Sequence, residues 1–247
     1  MENLIDPTAK LIGNIEIGFG NFVGYGSVIT GPISIGNNNI FGPYSIIGGP
    51  PQDDQFGLEK TRLFLAGGGE SGLSIQIGDR NVFREFVTVH HPLTTKTTIG
   101  SDNYFMTHAH VPHDACIADR VKLANSVQIA GYTSIMSDSY LGLGVVVHQF
   151  ITIGSHSMIG MSAVVTKDVA PGSKIAGSPA RLIGPNVVGL RKAGVIDFSY
   201  WNRDSSLKEI LTPPIELADE FTSWHELISK LKETKDSAAI VRRTKSK

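Results

Sequence analysis

The sequence predicts a parallel β-helix of hexapeptide repeats followed by a small helical C-terminal domain. Apolar residues recur every six positions through most of the chain up to Val165, and glycine often follows them. A period of six fits neither an α-helix nor a single alternating strand. From about residue 185 the apolar spacing changes to that of an amphipathic helix. These observations define the predicted fold class.

The six-residue repeat is the main evidence for the β-helix, because hexapeptide repeats are typical of this fold. Three hexads would form a triangular coil of 18 residues, in which each hexad sends one apolar side chain inward. Glycine or asparagine is expected at corners that need a positive φ. None of the twenty-three repeat positions is polar: Ile5, Leu11, Ile17, Val23, Ile29, Ile35, Phe41, Ile47, Ile77, Phe83, Val89, Ile99, Phe105, Val111, Ile117, Leu123, Ile129, Ile135, Leu141, Val147, Ile153, Ile159 and Val165.

Two segments interrupt the repeat. The first loop, residues 48–76, leaves the pattern and returns in phase, whereas the second loop, residues 90–98, adds four residues to one hexad. Loops of this kind inside a regular scaffold are often functional. We therefore divide the chain into a β-helix domain, 1–180, which carries both loops, and a helical domain, 181–247. In the latter, 186–194 is predicted as a short helix, and Leu217, Phe221, Trp224, Ile228 and Leu231 follow helical spacing.

Composition excludes several classes of protein. The formal net charge is −1, which gives no electrostatic basis for binding nucleic acid. The single cysteine, Cys116, allows no intrachain disulfide. Neither a signal peptide nor an apolar run of about 20 residues is visible, so we expect a cytoplasmic protein without membrane insertion.

The 18-residue coil places several histidines on one edge of the prism. Val89, Val111, Ile129 and Val147 are equivalent positions in successive coils, so the residues that follow them should form columns in which each residue lies about 4.8 Å from the next. His113, Gly131 and His148–Gln149 share one column, His90–His91 begin the second loop beside it, and His110 points outward on the same flank. In this arrangement Asp114 could fix the tautomer of His113, and Gly131 could offer its N–H to an oxyanion.

The chain resembles the acyl-carrier-protein-dependent UDP-N-acetylglucosamine O-acyltransferases, which act in lipid A synthesis. The resemblance is carried by the repeat, both loops and the strings SDNYFMTHAHVPHDA, GVVVHQF and NVVGLRKAG. It implies a homotrimer of left-handed parallel β-helices with active sites between subunits. It further implies acyl carrier protein and a nucleotide sugar as partners, an acyl-thioester donor, and neither a bound cofactor nor a metal.

The resemblance also implies residue roles. His113 would be the general base, Asp114 its support and Gly131 the source of the oxyanion amide. The remaining matches would bind substrate. They are His110, His148 and Gln149 near the acceptor and pantetheine, His90 as a further site histidine, Gln52 and Asp53 reaching in from the neighbouring subunit, and Asn186 near the nucleotide or phosphopantetheine.

Departures from the family pattern predict an altered substrate. Tyr132 replaces a usual histidine, Gln55 replaces a usual lysine, and Lys192 lies where the family has an arginine. We expect Tyr132 and Lys192 to contact a UDP-N-acetylglucosamine-like nucleotide sugar that is acylated on a hydroxyl or an amine. Met161 occupies a position that is often glycine in the family, so we expect a medium or short (hydroxy)acyl chain.

Three other functions are compatible with the sequence. An acetyl-CoA-dependent sugar acetyltransferase would share the repeat and differ in its donor. A zinc hydratase would use histidines such as His108 and His113 across a subunit interface, and stoichiometric zinc would reveal it. A trimeric scaffold without activity is the non-enzymatic alternative.

Overall fold

The computed structural model describes residues 1–68 and 73–195, together with 219–220, 222–226, 229–230 and 233 near the C-terminus. Short strands alternate among three sheets, so that each coil adds one strand to each sheet. Successive strands of a sheet are parallel, and in the regular coils their partners are 18 residues apart, as for Lys122 and Tyr140. The predicted fold class, a parallel β-helix, is confirmed.

The strands of the three sheets are short. Sheet A contains Leu4–Ile5, Phe22–Val23, Ile40–Phe41, Val82–Phe83, Tyr104–Phe105, Lys122–Leu123, Tyr140–Leu141, Met158–Ile159, Ser173–Ala176 and Arg181–Pro185. Sheet B contains Lys10–Ile12, Val28–Thr30, Ile46–Gly49, Thr88–His90, His110–Val111, Gln128–Ile129, Val146–Val147 and Val164–Val165. Sheet C contains Ile15–Ile17, Ile33–Ile35, Ile75–Ile77, Thr97–Ile99, Cys116–Ile117, Ser134–Ile135 and Thr152–Ile153. The last pair of sheet A is antiparallel.

The repeat positions form one continuous core from Val23 onward. Phe41, Phe83 and Phe105 stack inside it, with ring centroids 5.0 and 4.7 Å apart. The expectation of inward burial is wrong for the first coil, where Ile5 is 38% and Leu11 39% exposed. The reason is that the first coil is stacked on one side only, so its apolar side chains lack a second covering layer.

The corners depart from the expected use of glycine and asparagine. Fourteen of the described non-glycine residues have positive φ, and many are large, such as Tyr132 at 59° and Phe150 at 61°. A left-handed conformation costs an ordinary residue roughly 1–2 kcal/mol. Stacking between coils offsets this cost, because corner side chains from adjacent coils pack face to face, as Tyr132 and Phe150 do at 4.6 Å.

Among the described residues, a short α-helix in the first loop and another near residue 190 accompany the β-helix. The first loop contains a 3₁₀ turn, Asp54–Phe56, helix α1, Leu58–Leu63, and a π turn, Phe64–Gly68. Helix α2, Val187–Lys192, confirms the predicted short helix, and its first turn is capped by the side chain of Asn186. Within the described chain, no helix has the length and apolarity needed to cross a bilayer.

The more C-terminal helix is described only in part. Residues 222–226 are helical, and Trp224 is buried against Ala170, Leu190 and Val195. The other four apolar positions predicted for this helix lie outside the described residues. The division at residue 180 stays a prediction; Arg181–Pro185, just beyond it, still pairs with the sheet.

Candidate active site

The candidate site lies at the corner between sheets B and C. This corner, called the B–C corner, comprises residues 112–115, 130–133 and 148–151 in three successive coils. The strand registers pair His110 with Gln128 and Ile129 with Val147, as the 18-residue coil predicts. His113 and Gly131 therefore occupy equivalent places in adjacent coils.

A cavity of about 330 Å³ opens beside this corner. Six of the predicted site residues line it: Gln52, Asp53, His110, His113, Gly131 and Gln149. The first loop thus brings two polar side chains to the cavity of its own chain, whereas the sequence predicted that they would reach a neighbouring subunit. Asp53 also caps the 3₁₀ turn by accepting a hydrogen bond from the Gln55 N–H at 2.8 Å. We call this cavity the His113 cavity.

His113 and Asp114 form a buried pair, in which His113 lines the cavity and Asp114 lies behind it. Nδ1 of His113 lies 2.9 Å from Oδ2 of Asp114, whose side chain is fully buried. Burial alone would raise the pKa of Asp114, but hydrogen bonds from His113 and from the backbone of the second loop lower it to about 2. An ionised carboxylate only accepts hydrogen bonds. Nδ1 of neutral His113 must therefore carry the proton, which leaves Nε2 as a free acceptor.

The second loop surrounds the carboxylate of Asp114. The N–H of Leu93 donates to Oδ2 at 2.9 Å, and those of Thr94 and Thr95 donate to Oδ1 at 3.0 and 2.6 Å. Both threonine hydroxyls also donate to Oδ1. This contact is not predicted by the sequence pattern. The four extra residues of the second loop were the available signal, because they belong to the preceding coil and lie directly beside Asp114.

Gly131 lies directly against the His113 ring. A Cβ at this position would lie 2.5 Å from Cε1 and 2.7 Å from Nε2 of His113, so only glycine fits beside the ring. Among the described residues, no acceptor meets the Gly131 N–H. A backbone donor and a free imidazole nitrogen therefore lie side by side, a combination that can accept a proton and stabilise an oxyanion.

Two other histidines near the B–C corner make hydrogen bonds of their own to backbone carbonyls. His90 donates through Nδ1 to the carbonyl of Pro50 at 2.6 Å, and its ring lies 5.0 Å from that of His110. His91 is fully buried and donates to the carbonyl of Thr30. His90 thus anchors the base of the first loop, and the His91 ring packs edge-on against Phe64 of the same loop at 5.0 Å. Among the described residues, no three metal-binding side chains are grouped to hold an ion.

Two predicted site residues lie at the B–C corner without lining the cavity. His148 is exposed, with Nδ1 3.0 Å from the Gln149 carbonyl. Tyr132 is 8% exposed, and its ring meets the edge of His113 at 5.3 Å and stacks on Phe150. Their expected contacts with substrate stay predictions.

Asn186 and Lys192 line a second cavity, which belongs to sheet A and helix α2. This cavity, of about 760 Å³, is also lined by Arg120, Lys122 and Lys174. We call it the α2 cavity. A single chain does not bring Asn186 or Lys192 into the His113 cavity.

Met161 lies at the corner between sheets A and B and is 70% exposed. Leu143 and Val146 are 47% and 45% exposed, and Val146 also lines the His113 cavity. Leu143 precedes Met161 by one coil, so the two share a corner column. Exposed apolar side chains thus continue away from the cavity along this flank.

Protonation of His110 is expected to destabilise the fold in mild acid. Burial chiefly, with the nearby charges of His90 and His113, lowers the pKa of His110 from 6.5 to about 4. The unfolded chain therefore binds a proton between these values and the folded chain does not. The free energy of unfolding should fall by about 2 kcal/mol for this group between pH 7 and pH 5.

Urea unfolding at both pH values measures this effect. His110→Gln should show a smaller loss of stability than the wild type, and His225→Gln, an exposed ring outside the cavity, is the matched control. Equal losses in the wild type and His110→Gln would contradict the assignment.

Comparisons with known proteins agree with the fold. Over 147 residues, 58% of its length, the chain is 38% identical to the acyl-[acyl-carrier-protein]–UDP-N-acetylglucosamine O-acyltransferase of Burkholderia mallei. A solved UDP-N-acetylglucosamine acyltransferase from Arabidopsis is 25% identical and covers 96% of this chain and 95% of its own, with a TM-score of 0.62. The chain is similar to the UDP-N-acetylglucosamine acyltransferases. No protein-family model matches it.

The sequence match covers a smaller share of the proteins than the structural match does. The match to the acyltransferase of Burkholderia mallei spans 52% of that protein, so the chain covers about half the length of its curated relative. The UDP-N-acetylglucosamine acyltransferase of Campylobacter jejuni superimposes with a TM-score of 0.70 over 90% of this chain and 93% of its own. At 22% identity, that likeness shows the fold alone.

Proposed function

We propose that the protein is an acyltransferase that moves a medium or short (hydroxy)acyl chain from acyl carrier protein to a nucleotide sugar. The acceptor resembles UDP-N-acetylglucosamine and is acylated on a hydroxyl or an amine. One observation carries this proposal: Nε2 of His113 is held free beside the unpaired Gly131 N–H, because the ionised Asp114 fixes the proton on Nδ1.

The proposed reaction is direct transfer without a covalent enzyme intermediate. The acceptor hydroxyl or amine gives a proton to Nε2 of His113 while its heteroatom attacks the thioester carbonyl. The Gly131 N–H donates to the oxyanion that develops on the carbonyl oxygen. Collapse of the tetrahedral intermediate releases the thiolate, which takes the proton back from the imidazolium. Asp114 stabilises the charged imidazolium between these two steps.

The polar lining of the His113 cavity supports acceptor binding in this scheme. Gln52, Asp53 and Gln149 lie in the same cavity as His113, and neutral His110 provides a further polar contact without adding charge. Amide, carboxylate and imidazole groups can each hydrogen-bond sugar hydroxyls. We assign these residues to the acceptor.

The α2 cavity supports the proposal that several copies of the chain associate to bind the nucleotide sugar. Because Asn186 and Lys192 line a different cavity from His113, a nucleotide bound by both regions would bridge two copies of the chain. A homotrimer with sites between subunits provides such an arrangement, and it is part of the proposal, as is a cytoplasmic location. Sedimentation with and without nucleotide sugar would test it.

Activity assays with a matrix of donors and acceptors test the proposal. Acyl-carrier-protein thioesters of different chain length and acetyl-CoA serve as donors. UDP-N-acetylglucosamine and an analogue in which an amine replaces a sugar hydroxyl serve as acceptors. Transfer from acyl carrier protein to either sugar supports the proposal. Transfer from acetyl-CoA alone would replace it with an acetyltransferase, and stoichiometric zinc in the purified protein would favour a hydratase.

Met161→Gly is expected to extend the range of acyl chains accepted. Removing the side chain should lengthen the apolar path beyond Val146, and each additional methylene buried there contributes about 0.8 kcal/mol, roughly fourfold in kcat/KM. Competition between acyl-carrier-protein thioesters measures the preference. Leu63→Gly, which removes an exposed apolar side chain of the first loop, is a control. An unchanged preference in Met161→Gly would rule out Met161 as the length determinant.

A further inference from the structure

The contact between Tyr132 and the second loop is not explained by substrate binding. Tyr132 does not line the His113 cavity, and its hydroxyl lies 3.2 Å from Oγ1 of Thr94. The same Thr94 oxygen lies 3.2 Å from Oδ1 of Asp114. One threonine hydroxyl therefore bridges a tyrosine and the carboxylate that orients His113.

The direction of these hydrogen bonds follows from charge. The Thr94 hydroxyl has one proton, and a bond to the ionised Asp114 is stronger than a bond to a neutral phenol. Thr94 then donates to Asp114 and accepts from the hydroxyl of Tyr132. The resulting chain runs from Tyr132 through Thr94 and Asp114 to Nδ1 of His113.

The tyrosine ring is itself held on two sides. It meets His113 edge-on at 5.3 Å and stacks on Phe150 at 4.6 Å, with 4° between the ring planes. Tyr132 therefore restrains the imidazole twice, through its ring edge directly and through its hydroxyl by way of the second loop. Thr95, whose hydroxyl donates to Oδ1 at 2.9 Å, completes the set of loop hydroxyls on the carboxylate.

We propose that Tyr132 and Thr94 are positioning residues that hold Asp114, and through it the tautomer of His113, in the form required for proton transfer. This inference rests on the proposed function. It assigns the second loop the task of fixing the general base, and it assigns Tyr132 an indirect role in the reaction in place of contact with the nucleotide sugar.

The tautomer of His113 provides a test that needs no substrate. In protein labelled with ¹³C,¹⁵N-histidine, the wild-type ring should give the NMR signature of a proton on Nδ1. Tyr132→Phe and Thr94→Val should each produce a detectable population with the proton on Nε2, whereas Thr94→Ser, which keeps a hydroxyl, should retain the wild-type signature. Tyr44→Phe, an exposed tyrosine with similar φ at another corner, is the matched control.

Kinetics provide the second readout. Loss of one hydrogen bond in the chain should lower kcat roughly 3- to 10-fold with KM unchanged. The double variant should be no slower than the slower single variant, because both act through Asp114. Matching melting temperatures would show that the variants remain folded.

The tautomer signature decides the proposal. A wild-type signature in both Tyr132→Phe and Thr94→Val would overturn it, and a rise in KM with that signature would return Tyr132 to a substrate-binding role. If the wild-type protein transfers acyl groups to no acceptor tested, the proposed function fails, while the signature still shows whether Tyr132 and Thr94 position His113.

Discussion

Replacing His113 by alanine is expected to lower kcat by about 10²- to 10⁴-fold, the usual contribution of a general base. The reason is that Nε2 of His113 is the acceptor left free beside the Gly131 N–H once Asp114 has bound Nδ1. Steady-state assays with the best donor and acceptor from the substrate matrix measure the loss. Because the ring lines a cavity and is not one of the inward apolar side chains of the coils, the variant should still fold.

Cys116→Ala is the matched control for this prediction. Cys116 is an exposed thiol on sheet C, three residues beyond His113, and the proposed mechanism gives it no part. The variant should keep wild-type activity. Equal activity of His113→Ala and Cys116→Ala would remove His113 from the mechanism, and loss of activity only in Cys116→Ala would indicate a covalent route.

Gly131→Ala is expected to be nearly as damaging as the loss of His113. The added methyl would lie within 2.7 Å of Cε1 and Nε2 of the ring, so the imidazole must move away from the free N–H. A misplacement of about 1 Å can cost about 10²-fold in rate. We expect kcat to fall by at least roughly that factor while the protein stays folded.

A double-mutant cycle separates this effect from general damage. If the methyl acts by displacing His113, adding Gly131→Ala to His113→Ala should cost little more activity. Gly194→Ala, which strains the backbone at φ 88° but meets no atom within 4 Å and lies away from the His113 ring, is the control for general destabilisation. Full activity in Gly131→Ala would refute the close packing of Gly131 and His113, and additive losses in the double variant would show that Gly131 acts independently.

The column of site residues could be predicted because the coil has a constant length. Once the repeat sets 18 residues per turn, the equivalence of Val111, Ile129 and Val147 follows by counting, and with it the neighbourhood of His113 and Gly131. The same arithmetic fails for the loops. An insertion can be detected as extra residues, but its backbone path is set by tertiary contacts such as those of Leu93 and Thr95 with Asp114.

The sequence by itself determined the period, and therefore the β-helix, its core and the register of the B–C corner. These follow from the burial of one apolar side chain per hexad, which is a local and repeated requirement. Only the tertiary structure decided that the second loop surrounds Asp114, that Tyr132 is joined to it through Thr94, and that Asn186 lies in a different cavity from His113. Those outcomes depend on hydrogen bonds and packing between coils, where residues distant in sequence meet.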